Sequence, residues 1–222
     1  MANIEPTKQK IGLTVKEKGY PGSTRFWHWF NFLIIMGSLS TVLINATLFD
    51  HNQGAFVKNE LMKAGAVVSD KQATTVIHSL ENKVWDFHIY FGYVLVALFI
   101  FRIIAEFFLP SSSRLIPKLR KAYCAYFIWK KDRDVAKHEL VVKGLYIFFY
   151  LLLLIMATTG ILLAFGENLG ISPSISHSIK EFHGFCMYLV LAFITVHLAG
   201  VLLAEHKDGK GIVSDMINGG KL

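Results

Sequence analysis

Four long apolar segments restrict the fold of this 222-residue chain more than any other feature. They cover roughly residues 27–47, 86–108, 143–165 and 181–204. Each contains about 20 or more mostly apolar residues, the length that an α-helix needs to cross the ~30 Å hydrocarbon core of a bilayer. The sequence therefore predicts an all-α fold, an integral membrane up-down bundle of four helices. A hydrophobic content of 53% excludes an ordinary soluble domain.

Positive charge is unevenly divided among the segments that connect the predicted helices. The segments 1–26, 109–142 and 205–222 hold sixteen Lys and Arg residues, whereas 48–85 and 166–180 hold five. With four helices, the three basic segments fall on one side of the membrane, which the positive-inside rule identifies as the cytoplasm. The net charge of +7 therefore reflects membrane topology, and we do not expect nucleic acid as a partner.

Three regions follow from this topology. We predict a cytoplasmic N-terminal segment over 1–26, a transmembrane domain over 27–204 and a cytoplasmic tail over 205–222. The first apolar segment is long enough to span and is followed by no clear cleavage site, so we expect it to remain as a helix rather than to be removed as a signal peptide. The predicted location is the bacterial cytoplasmic membrane, with both termini in the cytoplasm and with lipid around the helices.

Two histidines, His183 and His197, lie fourteen residues apart on the fourth apolar segment. At ~100° and ~1.5 Å per residue, the second ring falls within about 40° of the first and about 21 Å further along the helix axis. Such a helix holds one histidine near each face of the membrane. A neutral imidazole in lipid needs a partner, and a metal or haem iron is a common one.

Two further histidines match these positions in depth. With the N-terminus inside, His28 lies at the cytoplasmic end of the first helix and His88 at the outer end of the second. Depth therefore pairs His28 with His197, and His88 with His183. Neighbouring aromatic and small residues favour a flat macrocycle over a bare metal ion. We predict two non-covalent haems between the helices, with these histidines as axial ligands; six-coordinate iron has no open position and suits electron transfer.

A haem-free interpretation stays open beside this one. A single histidine in an apolar helix is more often a polar group that hydrogen-bonds to a neighbouring helix. On that basis the alternative is a membrane transport or assembly protein with interhelical histidines. Four histidines at matched depths favour the haem interpretation.

Cysteine usage excludes other redox centres within this chain. The chain has two cysteines, Cys124 on the predicted cytoplasmic side and Cys186 within the bilayer, so we expect no disulfide framework. It has no C-x-x-C-H motif, which excludes covalently attached c-type haem. Two separated cysteines also provide no cluster for an iron–sulfur centre.

Two arginines are candidate partners for haem propionates. Arg102 follows His88 by fourteen residues, so it shares the face of that helix and lies about 21 Å closer to the cytoplasm. Its alternative role is a salt bridge with Glu106, one turn further on. Arg25, which directly precedes the aromatic sequence FWHWF, is the second candidate.

The two longest connecting segments are expected to lie at the membrane surface. In the outer loop 48–85, Val76, Ile77, Leu80 and Val84 recur at helical spacing, which predicts a short surface helix leading into the second span. The cytoplasmic loop 109–142 alternates basic and aromatic residues, which is typical of a segment along the lipid headgroups. For both loops the alternative is the docking of a partner.

Three motifs, RFWHW, WDFHIYFGY and HGFCMYLVLAFITVH, resemble the prokaryotic cytochrome b561 family. This family includes the cytochrome b subunits of membrane nickel–iron hydrogenases and the gamma subunits of formate dehydrogenases. The closing stretch LAEHKDGKGIVSDMINGGK is similar as well, so the resemblance extends from about residue 20 over nearly the whole chain. It implies a four-helix protein with two b haems, one held by His28 and His197 on the cytoplasmic side and one held by His88 and His183 on the outer side.

The resemblance also implies a function in respiration. Members of the family serve as the electron-transfer subunit of a membrane oxidoreductase. They carry electrons between membrane quinone and a periplasmic redox partner, such as a dehydrogenase, a hydrogenase or a cytochrome. It places the quinone near the cytoplasmic-side haem, around Arg25, Trp27 and Trp29. Other members act alone as superoxide:quinone oxidoreductases, which is the alternative function. The long first outer loop and the linker AKHELVVKG depart from the usual family pattern and bear on the identity of the partner.

Overall fold

The structure, a computed structural model, describes residues 20–49, 53–109, 114–130, 133–207 and 211–220. Most of the predicted N-terminal segment and part of the predicted tail therefore lie outside the described residues. The described residues form the following helices, with a π-helical turn at Cys124–Ile128 before α5: α1 (Gly22–Leu48), α2 (Gln53–Lys63), α3 (Asp70–Phe108), α4 (Leu115–Tyr123), α5 (Arg133–Ala164), α6 (Pro173–Lys207) and α7 (Ile212–Asn218).

Four of these helices, α1, α3, α5 and α6, are long and apolar enough to cross a membrane. The predicted all-α architecture with four spans is confirmed, and the chain is a multi-pass membrane protein. Only 11% to 17% of the most apolar window of each helix is buried inside the bundle. The rest of the apolar surface faces outward, as expected for helices whose outer surface contacts lipid.

The four helices extend beyond the predicted spans, and α3 differs most. It begins at Asp70 instead of about residue 86, because a capping box starts it. The Ser69 hydroxyl accepts a hydrogen bond from the backbone N–H of Gln72, and the Gln72 side chain accepts one from the backbone N–H of Ser69. No Gly or Pro interrupts the chain between Asp70 and Phe91. The predicted short surface helix is therefore the first part of α3, continuous with the second span.

This helix is longer than the hydrocarbon core of a bilayer is thick. Its 39 residues correspond to about 58 Å at ~1.5 Å per residue, roughly twice the thickness of the hydrocarbon core. Helix α2 packs against the projecting part: Lys58 forms a salt bridge of 2.8 Å with Asp70, and Gly54 is buried beside Thr74. The two helices form a polar projection at the His88 end of the bundle.

The core lies where the spans pack pairwise, α1 on α3 and α5 on α6. Trp27, Leu98 and Leu153 form one buried cluster between α1, α3 and α5. A second cluster joins Leu152 of α5 to Cys186 and Val190 of α6. At the His28 end, the segment predicted to lie along the headgroups contains the amphipathic helix α4, which packs against α5. These contacts fix the relative rotation of the spans and therefore the positions of their polar residues.

Candidate functional site

The four histidines form two pairs, and each pair joins two helices. His28 of α1 lies beside His197 of α6, with 6.2 Å between the ring centroids. His88 of α3 lies beside His183 of α6, with 6.4 Å between the centroids. The structure thus brings together the same two pairs that membrane depth predicts. Their role as iron ligands stays a prediction.

The spacing within each pair fits two imidazoles on one metal ion. Two nitrogens that bind one metal from opposite sides each lie about 2.0 Å from it. Each ring centre lies about 1.2 Å beyond its nitrogen, so the two centres are about 6.4 Å apart. A direct hydrogen bond between the rings, with about 2.9 Å between nitrogens, would bring the centres to about 5.3 Å. The observed 6.2 Å and 6.4 Å match the first arrangement. Each site also supplies two imidazoles, the number that a haem iron takes at its axial positions.

The second nitrogen of His88 is held by the neighbouring helix α1. Its Nδ1 lies 2.9 Å from the Thr41 hydroxyl and 3.3 Å from both the carbonyl oxygen and the hydroxyl of Ser38. The Thr41 hydroxyl donates its own proton to the same carbonyl at 2.6 Å. A carbonyl oxygen only accepts, so the Ser38 carbonyl contact is a hydrogen bond when Nδ1 carries the proton, and Nε2 then keeps its lone pair.

His183 has the same kind of partner on α5. Its Nδ1 lies 2.7 Å from the Thr159 hydroxyl, which donates to the Ile155 carbonyl at 2.7 Å. Gly160 lies beside this ring: a Cβ there would lie 3.6 Å from His183 Cε1, an ordinary van der Waals distance. Both histidines of this pair are therefore anchored through Nδ1 and keep Nε2 available for a metal.

The other pair lies in a different environment. Three buried polar atoms around it find no hydrogen-bond partner within the described part of the chain: His28 Nδ1, Trp27 Nε1 and Asn31 Oδ1. Buried polar atoms are nearly always paired, so a cluster of unpaired ones marks a place where a polar ligand or water belongs. His197 stacks against Phe193 at 5.9 Å with 4° between the planes. These flat and polar surfaces fit a planar macrocycle with a polar edge.

Arg102 lies at the His28 end and is already engaged. It forms a salt bridge of 2.8 Å with Glu106, and its Nε donates to the Tyr150 hydroxyl at 2.9 Å. Its guanidinium also lies 5.9 Å from the centre of the Trp27 ring. The structure therefore shows the salt bridge that sequence spacing gives as the alternative role. It also places the guanidinium beside the residue that precedes His28, and the propionate contact stays a prediction.

Arg25 holds the end of the chain against α1. Its guanidinium donates to the Ile217 carbonyl at 2.8 Å, and Trp29 donates to the Met216 carbonyl at 3.2 Å. Gly219, with φ +85°, packs against the guanidinium so closely that a Cβ would lie 3.1 Å from Arg25 Cζ. The tail therefore folds back onto the first turns of α1, beside the His28–His197 pair.

Two sets of contacts at the candidate sites are not predicted from the sequence. Thr41 and Thr159 are hydroxyl residues in apolar spans, a recognisable signal, but their contact with histidines on other helices depends on helix rotation. The glycines that flank α7, Gly211 and Gly219, are a local signal for the ends of this helix, not for its docking. Nothing in the local sequence identifies the distant α1 as its partner.

Comparison with known families gives one match. The family model described as prokaryotic cytochrome b561 matches residues 19–219, which is nearly the whole chain. Comparisons with curated proteins and with solved structures give no match.

Proposed function

This chain belongs to the prokaryotic cytochrome b561 family, and we propose that it is a dihaem cytochrome that carries electrons between a periplasmic redox partner and the membrane quinone pool. The observation that carries this proposal is the presence of two histidine pairs, with ring centroids 6.2 Å and 6.4 Å apart. One histidine of each pair belongs to α6, where the two are about 21 Å apart along the helix axis. Two such sites at different depths provide a path for electrons through the bilayer.

The proposed ligands divide between the two sites. His88 and His183 hold the haem of the outer leaflet, and His28 and His197 hold that of the cytoplasmic leaflet. Each haem supplies a one-electron couple at its iron. The helices keep the imidazoles at a fixed spacing and surround them with apolar and aromatic side chains. Fixed coordination and exclusion of water suit rapid electron transfer without ligand exchange.

Orientation follows from the distribution of positive charge. The proposed topology places both termini in the cytoplasm. It then places α2 and the projecting part of α3 in the periplasm, at the same end as the His88–His183 site. This projection gives a periplasmic hydrogenase, dehydrogenase or cytochrome a polar surface on which to dock, close to the outer haem. The family supports this type of partner.

We place the quinone near the His28–His197 site. Arg25 Nε and Trp27 Nε1 are buried donors without an acceptor in the described ranges. A quinone carbonyl is an acceptor, so these two groups offer it hydrogen bonds within the apolar surroundings that its ring and tail require.

The quinone assignment is tested by quinol reduction of the purified protein in liposomes. We expect a quinol to reduce the haems of the wild type and the remaining haem of His183→Ala, but not the remaining haem of His197→Ala. The opposite pattern would move the quinone to the outer site. The proposed function would be contradicted if dithionite reduced the haems of all three proteins and quinol reduced none of them.

The surface charge argues against the superoxide:quinone oxidoreductase alternative. Superoxide is an anion, and a positive outer surface would attract it. Three outer lysines are paired with carboxylates at 3.3 Å or less: Lys58 with Asp70, Lys63 with Glu60, and Lys83 with Asp86. These pairs cancel most of the positive charge near the outer site.

A further inference from the structure

We propose that Thr41 and Thr159 are positioning residues that fix the protonation and orientation of His88 and His183 toward the iron of the outer haem. The inference rests on the proposed haem function and goes beyond the four ligands. It concerns two hydroxyl groups, each on a helix that contributes no ligand to this site.

The direction of the hydrogen bonds carries the argument. The single hydroxyl proton of Thr41 goes to the Ser38 carbonyl at 2.6 Å, and that of Thr159 goes to the Ile155 carbonyl at 2.7 Å. Each oxygen is then left with lone pairs facing an imidazole Nδ1, at 2.9 Å in His88 and 2.7 Å in His183. The hydroxyl and carbonyl of Ser38 lie further from His88 Nδ1, both at 3.3 Å. Both histidines are held as the Nδ1–H tautomer, which leaves Nε2 unprotonated as a metal ligand requires.

The helix packing explains why both bonds are needed. Thr41 of α1 binds His88 of α3, and Thr159 of α5 binds His183 of α6. The α1–α3 and α5–α6 pairs are the two closely packed helix pairs of the bundle. The space between the His88 and His183 imidazoles lies between these two helix pairs. Each bond therefore ties one ligand to its own helix pair and prevents the ring from rotating about χ1 and χ2. Both threonines are buried, with 6% and 8% of their surface exposed.

The two sites differ in this respect, which provides an internal control. His28 Nδ1 is buried and has no hydrogen-bond partner among residues that the structure describes. Thr41 and Thr159 contact the His88–His183 pair, so their replacement should act on that site. An Nδ1–H bond to oxygen makes an imidazole a stronger donor and stabilises ferric over ferrous iron. Loss of the bond should favour reduction of the outer haem and leave the other haem unchanged.

The test compares valine and serine variants in redox titrations of the purified, haem-loaded protein. Thr41→Val and Thr159→Val remove the hydroxyl at nearly constant volume, and Thr41→Ser and Thr159→Ser keep it. Thr47→Val is the control on α1, because its exposed hydroxyl donates to the Leu43 carbonyl of its own helix. Thr158→Val, an exposed neighbour of Thr159, is the control on α5. His183→Ala, which should retain the other haem only, assigns the two components of the titration.

We expect each valine variant to raise the equilibrium constant for reduction of the outer haem about threefold, equivalent to ~28 mV for a one-electron couple. The serine variants and both controls should match the wild type, and the second haem should keep its potential in every variant. Loss of the outer haem in a valine variant but not in the matching serine variant would support the proposal as well.

Two results would overturn the positioning role. One is a pair of valine variants that bind both haems with unchanged potentials and unchanged ferric electron paramagnetic resonance spectra. The other is equal loss of the outer haem in the valine and serine variants, which would mean that the site depends on packing volume. In either case the wild type would still hold two haems. A wild type without haem would instead refute the proposed function.

Discussion

At the residue scale, Arg102 ties three spans together near the His28–His197 site. It contacts Glu106 of its own helix, Tyr150 of α5 and Trp27 of α1. Its side chain is only 12% exposed, and that of Glu106 is 27% exposed. A charged pair with this burial costs free energy when one partner is removed, because the other charge stays desolvated.

We therefore expect Arg102→Gln to lower the free energy of unfolding by about 1–3 kcal/mol, less than the loss for a fully buried pair because Glu106 is partly solvated. The measurement is thermal unfolding in detergent. Adding Glu106→Gln to this variant should recover part of the loss. Lys83→Gln is the control, because it breaks an exposed pair worth at most about 0.5 kcal/mol. An equal loss of stability in Arg102→Gln and Lys83→Gln would contradict this account.

The sequence is most informative for residues whose position follows from helix geometry. Fourteen residues of helix place His197 nearly below His183, and topology sets the depths of His28 and His88. The partners of these residues are less predictable. Thr41 contacts His88 only because the α1–α3 interface fixes the rotation of both helices. The docking of α7 on Arg25 joins residues 192 positions apart in the chain, and no local pattern encodes that contact.

At the element scale, the packing of α1 on α3 depends on Gly37. A Cβ at this position would lie 2.8 Å from Phe91 Cζ, closer than packed atoms approach each other. We expect Gly37→Ala to displace the half-buried Phe91 ring from this interface and to destabilise the protein by about 1–3 kcal/mol, despite the higher helix propensity of alanine. Gly144→Ala is the control, since a Cβ there meets nothing within 4 Å and should stabilise slightly. Melting curves that rank the two variants in the opposite order would contradict this interpretation.

The attachment of α7 depends on Glu205. Its carboxylate accepts hydrogen bonds from the backbone N–H groups of Gly211, Ile212 and Val213 at 2.7 to 3.4 Å, and so caps the first turn of this seven-residue helix. Glu205→Gln removes the negative charge from the cap. We expect the amides of 211–218 to exchange with deuterium several-fold faster in this variant. Glu181→Gln, an exposed change on the same helix α6, should leave them unaffected; unchanged exchange in Glu205→Gln would refute the capping role.

Element boundaries also show where sequence patterns stop being informative. The apolar run of the second span begins near residue 86. The helix itself begins earlier, at Asp70, because no helix breaker lies between these positions and Ser69 provides the N-cap. Hydropathy locates the part of a helix that lies in lipid. The end of the helix is set by capping and breaking residues, which a hydropathy window does not detect.

At the scale of the whole molecule, the positive-inside rule and the length of α3 together make a topological prediction. The polar projection should lie outside the cytoplasm. In a background without the native cysteines (Cys124→Ser and Cys186→Ser), a Ser79→Cys variant should therefore react with a membrane-impermeant maleimide in cells whose outer membrane has been removed. A Lys137→Cys variant in the same background, exposed in the first turns of α5 at the other end of the bundle, should react only after the membrane is opened. Labelling of the second variant alone in sealed cells would invert the topology.

The central claim, that two histidine pairs hold two haems, is tested most directly by the haem content of the purified chain. A pyridine haemochrome assay with a reduced-minus-oxidised spectrum should give two b haems per chain in the wild type. It should give one each in His183→Ala and His197→Ala, and two in the exposed control His206→Ala. A wild type without haem after haem-replete expression, or His183→Ala and His197→Ala variants that keep both haems, would contradict the account.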